Sequence, residues 1–331
     1  MNMNKITFLH AVLCFFVCFF FVACGDEKEI NTESPYIDGL SLDTYPIIDG
    51  STSTLPLNTV IACELMGIGY EWQENKIDFN SSKWDIKPEI TGKQRQRFND
   101  CIKSSQTHQS FANVIDKVVD IALTARTMSP DEKEYAEGKG VTLIETPIAM
   151  DAFIFIVNAR NPVKGLTTKN IQDIYTGKVR SWEEFGVEID GGFPMIHPFI
   201  RNANSGSQEL MDLLVMKGLD YINLPIYEEA LVSGMMGLLD EIGSDPFAIG
   251  YTVYYYNEFI IRPHKMYLKA IEIDGVQPDK NTIVDRSYPY TTEVYAVIRS
   301  DMDKSSMGHK VYEWLQTEAG KAAIAKSGYV N

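Results

Sequence analysis

The apolar residues of this chain follow two kinds of pattern. In one, they recur every three or four positions, which is typical of a helix with one buried face. In the other, short runs are almost continuously apolar, which is typical of strands buried on both faces. The two patterns alternate along the sequence. The sequence therefore predicts an α/β architecture with largely parallel sheets.

The clearest strand is Ile144 to Asn158, and the irregular polar stretch from 70 to 95 predicts a loop insertion. The other predicted strands end at Ile48, run from Asp120 to Thr124, and run from Phe247 to Tyr254. The predicted helices begin at Pro56, after Thr107, at Thr168, after Ser205 and near Met235, and a last one runs from Val311 to about Lys326.

Three of these helices follow turns that are rich in hydroxyl side chains. The turns are Ser51–Thr54, Ser104–Thr107 and Ser205–Ser207. The first N–H groups of a helix have no partner within the helix and carry the positive end of its dipole. Hydroxyl donors beside them favour a bound anion. Ser205 and Gln208 also stand in the S-x-x-Q relation of a capping box.

Two arginines lie on turns of the same kind. Arg201 comes shortly before the third hydroxyl turn, and Arg126 follows the strand that ends at Thr124. Any one turn taken alone is explained better by an ordinary helix cap than by a ligand site. Three turns of one design favour convergence on a single tetrahedral oxyanion at the carboxyl ends of the strands. Leu210, Leu213 and Leu214 are expected on the buried face of the third helix.

The first 23 residues have the character of an export signal. Lys5 is the single charged residue before an apolar run from Ala11 to Ala23 that is too short to span a bilayer. The run ends Phe21-Val22-Ala23-Cys24, a lipobox-like sequence that predicts Cys24 as the lipid-bearing first residue of the mature chain. The acidic stretch over 24–44 is expected to be a flexible tether. Plain secretion is the alternative.

The formal net charge of −15 excludes some partners. Removal of residues 1–23 takes away Lys5 and no acid, which leaves −16. So acidic a surface argues against nucleic acid and against electrostatic attraction to anionic lipid headgroups. It does not exclude a buried anion site, because salt screens charges beyond about 8 Å. Contact with a membrane is expected through the lipid anchor alone.

Cysteine and histidine usage points to no metal or catalytic centre. Cys63 and Cys101 remain after the leader and Cys24, and the sequence leaves open whether they pair. No spacing of cysteines or histidines suggests zinc. A hydrolase acting through Ser205 or Ser207 is an alternative, but no G-x-S-x-G elbow is present and the histidines fit no triad order. The expectation is a binding protein without cofactor or metal.

From Ile47 to Val330 the chain resembles the PstS-like substrate-binding proteins of phosphate ABC importers. The segments that carry the resemblance occur in the family's order: Asp49–Leu57, Val119–Arg126, Asn158–Val163, Ile174–Trp182, Arg201–Gln208, Ala248–Tyr251, Ile273–Pro278 and Ser327–Val330.

The resemblance implies the type II periplasmic-binding-protein fold, in which two α/β lobes are joined by two crossover strands around a ligand cleft. Lobe one is expected over 45–147 and 258–331, and lobe two over 148–257. The implied partners are phosphate, or a related tetrahedral oxyanion, and ABC permease subunits, with the protein acting as a monomer outside the cytoplasm. The expected anion ligands are Thr52, Ser53, Ser105, Thr107, Arg126, Arg201, Ser205, Gly206 and Ser207.

One position departs from the family. Family members place an aspartate in the turn after the Asp120–Thr124 strand, where it accepts the proton of monohydrogen phosphate, and this chain has Arg126 there. The choice between phosphate and sulfate is therefore open. Asp151 is a candidate substitute acceptor, and its alternative role is that of a solvated or hinge-capping carboxylate. A sensor or surface protein of the same fold is a further alternative to transport.

Overall fold

A computed structural model describes residues 32–76, 82–189, 194–223, 226–227, 236–261 and 267–330. The predicted leader and Cys24 lie outside these residues. The strands are β1 (Ile48–Gly50), β2 (Tyr70–Lys76), β3 (Ser82–Pro88), β4 (Ile121–Thr124), β5 (Leu143–Asn158), β6 (Gly165–Leu166), β7 (His197–Pro198), β8 (Ile200–Arg201), β9 (Ile226–Tyr227), β10 (Ala248–Val253), β11 (Leu268–Ala270), β12 (Glu272–Ile273) and β13 (Thr291–Arg299).

The helices confirm the α/β class. They are α1 (Leu55–Leu65), α2 (Gly92–Cys101), α3 (Thr107–Ile115), α4 (Pro130–Gly138), α5 (Thr168–Tyr175), α6 (Gly206–Leu210), α7 (Met236–Ser244), α8 (Lys280–Val284), α9 (Met307–Trp314) and α10 (Glu318–Lys326). Pro56 stands in the first turn of α1, and Thr167 caps α5 by accepting a hydrogen bond from the Asn170 N–H. These helix starts agree with the sequence analysis.

The main sheet has the strand order β1-β4-β13-β5-β10-β7, with β11 also paired to β5. The prediction of largely parallel sheets is wrong. β1 pairs with β4 and β10 with β7 in parallel, whereas β13 is antiparallel to both β4 and β5, and β10 and β11 are antiparallel to β5. Parallel neighbours need a crossover such as the helices between β1 and β4. β13 comes from the C-terminal part of the chain and enters the sheet antiparallel to its neighbours β4 and β5.

β5 connects the two halves of the sheet. Its first part, from Leu143 to Ala152, pairs with β13, and its second part, from Phe153, pairs with β10. Residues 152 to 157 are fully buried, as the apolar sequence of this strand predicts. A single 16-residue strand therefore runs through both halves without a break.

The polar stretch expected to be a loop over 70–95 instead forms a hairpin. β2 and β3 pair in antiparallel register, with Trp72 opposite Ile86. Ile86 is buried, and Trp72 packs against the core. Alternate residues face the protein and solvent, so a strand with charged residues on its outer face looks polar in the sequence.

The C-terminal helix predicted over 311–326 is two helices, α9 and α10. Thr317 separates them: its hydroxyl donates to the Trp314 carbonyl at 2.7 Å and accepts from the Gly320 N–H at 3.2 Å. A side chain that bonds the preceding carbonyl and caps the following helix ends one helix and starts the next.

Part of the predicted tether over 24–44 belongs to the folded body. Ile37, Leu40 and Leu42 are buried in the core, and the Ser34 N–H donates to the Leu40 carbonyl at 2.9 Å. These apolar side chains pack against the hydrophobic core and are thereby removed from water. The earlier part of the tether, up to residue 31, lies outside the described residues.

Cys63 and Cys101 are both buried and both free, so the structure shows no disulfide between them. Burial raises the pKa of the Cys63 thiol to about 12 and also raises the pKa of Cys101.

Within the described ranges, no helix is both long and apolar enough to cross a bilayer.

Candidate functional site

A cavity of about 30 Å³ lies where the three hydroxyl turns meet. A single water needs roughly 10–15 Å³ on this measure, and sites for larger metabolites are roughly 300–1,000 Å³. The cavity therefore suits a small inorganic ion and excludes a sugar or a peptide. Its described lining is Ser51, Thr52, Ser53, Gln106, Thr107, Ala125, Ser205, Gly206, Ser207, Leu210 and Val253.

The first turn is attached to the end of the neighbouring strand. Because β1 and β4 are parallel, their carboxyl ends meet at one edge, where Gly50 is opposite Leu123. The Leu123 carbonyl accepts hydrogen bonds from the Thr54 hydroxyl at 2.8 Å and the Ser51 N–H at 3.1 Å. A Cβ on Gly50 would lie 2.6 Å from that carbonyl oxygen, so this close approach requires glycine. Thr52 and Ser53 are thereby held at the edge of the sheet.

A buried carboxylate positions the second turn. Asp49 accepts from the Ser105 N–H at 2.8 Å through one oxygen and from the Asn113 side chain at 2.7 Å through the other. Asp49 is fully buried, so these bonds compensate the desolvation of its carboxylate. Thr107 then starts α3 and faces the cavity. Ser105, predicted as a ligand, is held through its backbone and is not part of the lining.

The third turn approaches the second from the opposite side. The helix starts at Gly206, as predicted, and a Cβ there would collide with the Thr107 hydroxyl. Glycine lets the two turns touch, so residues 205–207 and Thr107 together close the cavity. Of the nine predicted ligand residues, the structure brings six together at this point: Thr52, Ser53, Thr107, Ser205, Gly206 and Ser207. Their role as ligands stays a prediction.

The capping box predicted for this helix is wrong. The Ser205 hydroxyl makes no cap hydrogen bond, and Gln208 does not reach back to the Ser205 N–H because its Oε1 accepts from the Arg201 N–H at 2.9 Å and from the Tyr251 hydroxyl. The bond from Arg201 fixes β8 to the helix and leaves the Ser205 hydroxyl at the cavity. Arg201 itself is 2% exposed and is not among the lining residues.

The buried face predicted for the third helix is only partly correct. Leu210 is buried, but Leu213 is 61% exposed. After Leu210 the chain widens into a π-helical turn over Met211–Met216, so burial continues at Met211, Val215 and Met216. The wider turn rotates the buried face away from Leu213.

Arg126 does not reach the cavity. Its guanidinium makes a two-point ion pair with Glu132 of α4, at 2.7 and 2.8 Å, and also donates to the Thr127 carbonyl. Both side chains are at least 95% buried. The expectation that Arg126 points inward overlooked this carboxylate six residues downstream, which satisfies the arginine locally. Ala125, the residue before it, lines the cavity instead.

Asp151 lies at the crossover and not in the cavity lining. Its Oδ1 accepts from the Tyr255 N–H at 2.9 Å and from the Ala152 N–H at 2.8 Å, while its buried Oδ2 has no hydrogen-bond partner. Burial raises the pKa of this carboxyl to about 7, although the two N–H donors act in the opposite direction. Asp151 is 1% exposed, so the alternative of a solvated carboxylate is wrong, and the alternative of a hinge-capping carboxylate stays a prediction.

The cavity can bind an anion through neutral donors. No lining residue in the described part of the chain is ionisable, and the donors are hydroxyls and backbone N–H groups at helix starts. Sequence reasoning missed Ser51, Gln106, Ala125, Leu210 and Val253 in the lining. The first two lie inside the predicted turns Ser51–Thr54 and Ser104–Thr107, so treating every residue of each turn as a candidate would have found them.

Comparison with known proteins identifies the family. A PBP superfamily domain model matches residues 73–319, about three quarters of the chain. The chain belongs to the PBP superfamily. Among curated relatives of this PBP superfamily member, the phosphate-binding protein PstS of Staphylococcus epidermidis is 26% identical over 236 residues, 68% of this chain and 67% of the relative. The protein SphX of Synechococcus elongatus is 23% identical over 248 residues, 69% of this chain and 68% of SphX.

Solved structures show the same fold. A Clostridium perfringens structure with bound phosphate aligns with a TM-score of 0.61 at 22% identity, covering 87% of this chain and 99% of that one. An ABC-type phosphate transport receptor from Vibrio cholerae aligns with a TM-score of 0.57 at 19% identity, covering 86% and 99%. The predicted type II periplasmic-binding-protein fold is thereby confirmed.

Proposed function

We propose that this PBP superfamily member captures phosphate, or a closely related tetrahedral oxyanion, outside the cytoplasm and delivers it to an ABC permease. The observation that carries the proposal is the 30 Å³ cavity, where three hydroxyl-bearing turns converge. Three sets of helix-start N–H groups and hydroxyls provide donors from several directions, which suits a tetrahedral anion. The names of the relatives support phosphate as the ligand.

Calorimetric titration of the chain from Thr32 onwards with phosphate, and in parallel with sulfate, tests this function. Ser207→Ala and Thr52→Ala each remove one cavity hydroxyl and should weaken binding about ten- to 150-fold, because a hydrogen bond to a charged group contributes about 1.5–3 kcal/mol. Ser300→Ala is a matched control, since Ser300 is exposed at the opposite edge of the sheet. A parent protein that binds neither anion would reject the proposal.

We also propose that the chain is anchored by lipid at Cys24. The lipobox-like sequence before Cys24 supports this. Cys24→Ala should leave an unprocessed precursor that takes up no labelled fatty acid, whereas Cys18→Ala, within the leader, should be processed normally. Normal cleavage and release of the Cys24→Ala protein would contradict the anchor.

Two lobes, over 45–147 with 258–331 and over 148–257, are proposed to close on the anion as a monomer. The change of partner along β5 at residue 152 or 153 supports a hinge there. Small-angle scattering should show a smaller radius of gyration with saturating phosphate. Delivery would be seen as phosphate-dependent stimulation of the ATPase activity of the permease, and an unchanged rate would contradict it.

A further inference from the structure

The last four described residues, Ser327 to Val330, contact both crossover segments and the first cavity turn. The Val330 carbonyl accepts from the Met150 N–H of β5 at 2.7 Å. The Tyr329 hydroxyl donates to the Ser53 carbonyl at 3.0 Å. The Ser327 carbonyl accepts from the Tyr255 hydroxyl at 2.9 Å, just after β10. We call Ser327–Val330 the C-terminal strap.

Tyr329 is the centre of these contacts. Its ring stacks on the ring of Tyr255, with centroids 3.8 Å apart and planes at 6°. Tyr255 in turn is held through its backbone N–H by the buried carboxylate of Asp151. A continuous set of contacts thus runs from the crossover at Asp151, through two stacked rings, to the Ser53 carbonyl.

The conformation of Gly328 makes this arrangement possible. Its φ is +102°, which residues with a side chain rarely adopt, and a Cβ there would lie 2.7 Å from the ring of Phe259. The turn at Gly328 points the Tyr329 ring at Tyr255 and its hydroxyl at Ser53. Burial keeps the pKa of Tyr329 well above its usual value, so the hydroxyl remains a donor at neutral pH.

We propose that Tyr329 is a positioning residue for the anion cavity: its hydroxyl fixes the Ser53 carbonyl, and its ring connects the Ser53 turn to the crossover at Tyr255. The inference rests on the proposed anion binding at this cavity. Ser53 is 3% exposed, lines the cavity, and has its side chain 3.1 Å from the Ser51 hydroxyl. A shift of its backbone therefore moves two cavity hydroxyls together.

Tyr329→Phe and Tyr255→Phe form a matched pair. Each removes one buried hydroxyl and keeps both stacked rings, but Tyr329 alone bonds the cavity turn, because the Tyr255 hydroxyl bonds Ser327. Phosphate affinity, measured by calorimetry, should fall about three- to tenfold in Tyr329→Phe and stay within twofold of the parent in Tyr255→Phe. Both variants should lose a similar amount of thermal stability.

The possible results distinguish a failure of the proposed anion binding from a failure of the positioning role of Tyr329. A parent that binds neither phosphate nor sulfate rejects the proposed function and the positioning role with it. A parent that binds, with Tyr329→Phe binding equally well despite a lowered Tm, leaves Tyr329 a purely structural role and overturns the inference. Equal losses of affinity in both variants would assign the effect to the C-terminal strap as a whole and not to the bond between Tyr329 and Ser53, and would also overturn the inference.

Hydrogen exchange on the unmutated protein gives a second measurement, independent of whether a variant folds. Saturating phosphate should slow exchange of the Met150 and Tyr255 amides, which the strap and Asp151 hold. The Lys133 amide, bonded to Ser129 within α4, is the control and should not change. Unchanged exchange at Met150 and Tyr255 would overturn the connection between cavity and crossover.

Discussion

The wall of the cavity and the residues directly behind it use different chemistry. The described lining is hydroxyl-bearing, amide or apolar, without an ionisable side chain. Behind it are buried charged groups: Asp49, the pair of Arg126 and Glu132, Arg201 and Asp151. Those whose partners are described bond to backbone groups, to each other or to a neighbouring amide side chain: Asp49 accepts from the Ser105 N–H and from Asn113, and Asp151 accepts from the Tyr255 N–H.

This difference indicates that the buried groups and the cavity wall have separate roles. Buried charges fix the turns and the crossover, since a buried charge must be paired or hydrogen-bonded. The neutral hydroxyl and backbone N–H groups of the turns are the donors available to an anion. Replacing a residue behind the wall should therefore change stability or its pH dependence, whereas replacing one in the wall should change affinity.

Arg126→Ala should have the largest effect. It removes the two-point partner of Glu132, a carboxylate that is 2% exposed, and leaves beside it, among its described partners, only the Ser129 N–H and the His108 ring, 3.1 Å away, at a cost of up to about 5 kcal/mol of unfolding free energy. Arg286→Ala breaks the ion pair with Glu293 at a partly exposed site and should cost less than about 1 kcal/mol. Urea denaturation measures both. Adding Glu132→Gln to Arg126→Ala should restore much of the stability, and failure to do so would argue against an uncompensated charge.

Asp151→Asn should remove a pH dependence of stability. Because the pKa of Asp151 is about 7 in the folded protein and about 3.9 when unfolded, the folded state holds the proton longer. Its contribution is complete below about pH 4 and is lost as pH rises to about 7, by up to about 4 kcal/mol. Unfolding free energies from pH 4 to 8 should show this slope in the parent and in Asp38→Asn, an exposed control, but not in Asp151→Asn. The same slope in all three proteins would contradict the assignment.

Gly206→Ala tests the contact between the second and third turns. The new methyl group would collide with the Thr107 hydroxyl, so the turns must separate at a cost of about 1–3 kcal/mol in binding. Phosphate affinity should fall about five- to 150-fold. Gly138→Ala, within α4 and with open space around it, is the control and should bind normally. Unchanged affinity in Gly206→Ala would mean that the turns do not meet in the bound protein.

The smallest expected effect is the difference between phosphate and sulfate. A carboxylate facing the anion would accept the proton of monohydrogen phosphate and repel sulfate. The described lining contains none, so the two dissociation constants should differ by less than about tenfold. Competition calorimetry measures this. If a large excess of sulfate leaves phosphate bound, an acceptor outside the described lining sets the selectivity.

The parts predicted correctly from the sequence are those governed by local signals. Hydroxyl residues before an amphipathic run marked all three turns, and the continuous apolar run of β5 marked the long buried strand. Their convergence depends on tertiary contacts as well: the parallel pairing of β1 and β4 places the first turn, Asp49 holds the second, and the third approaches Thr107 at Gly206.

The errors arose where tertiary partners decide. Arg126 was predicted to face the anion, but it pairs with Glu132 at the start of the next helix. Gln208 was predicted to complete a capping box, but its side chain bonds Arg201 and Tyr251. β2 and β3 are polar strands whose pairing depends on Trp72 and Ile86 packing against the rest of the core. The antiparallel direction of β13 depends on the end of the sheet at which the chain re-enters it. The spacing of apolar residues along the sequence does not show this.

The two buried thiols have a practical consequence for chemical labelling. Maleimides react with thiolates, and burial raises the pKa of both Cys63 and Cys101, so neither should label at neutral pH. In a chain starting at Thr32, Asn204→Cys would add an exposed thiol directly beside Ser205 at the rim of the cavity. An environment-sensitive dye attached there would report arrival of the anion as a change in fluorescence, with no need to remove the native cysteines.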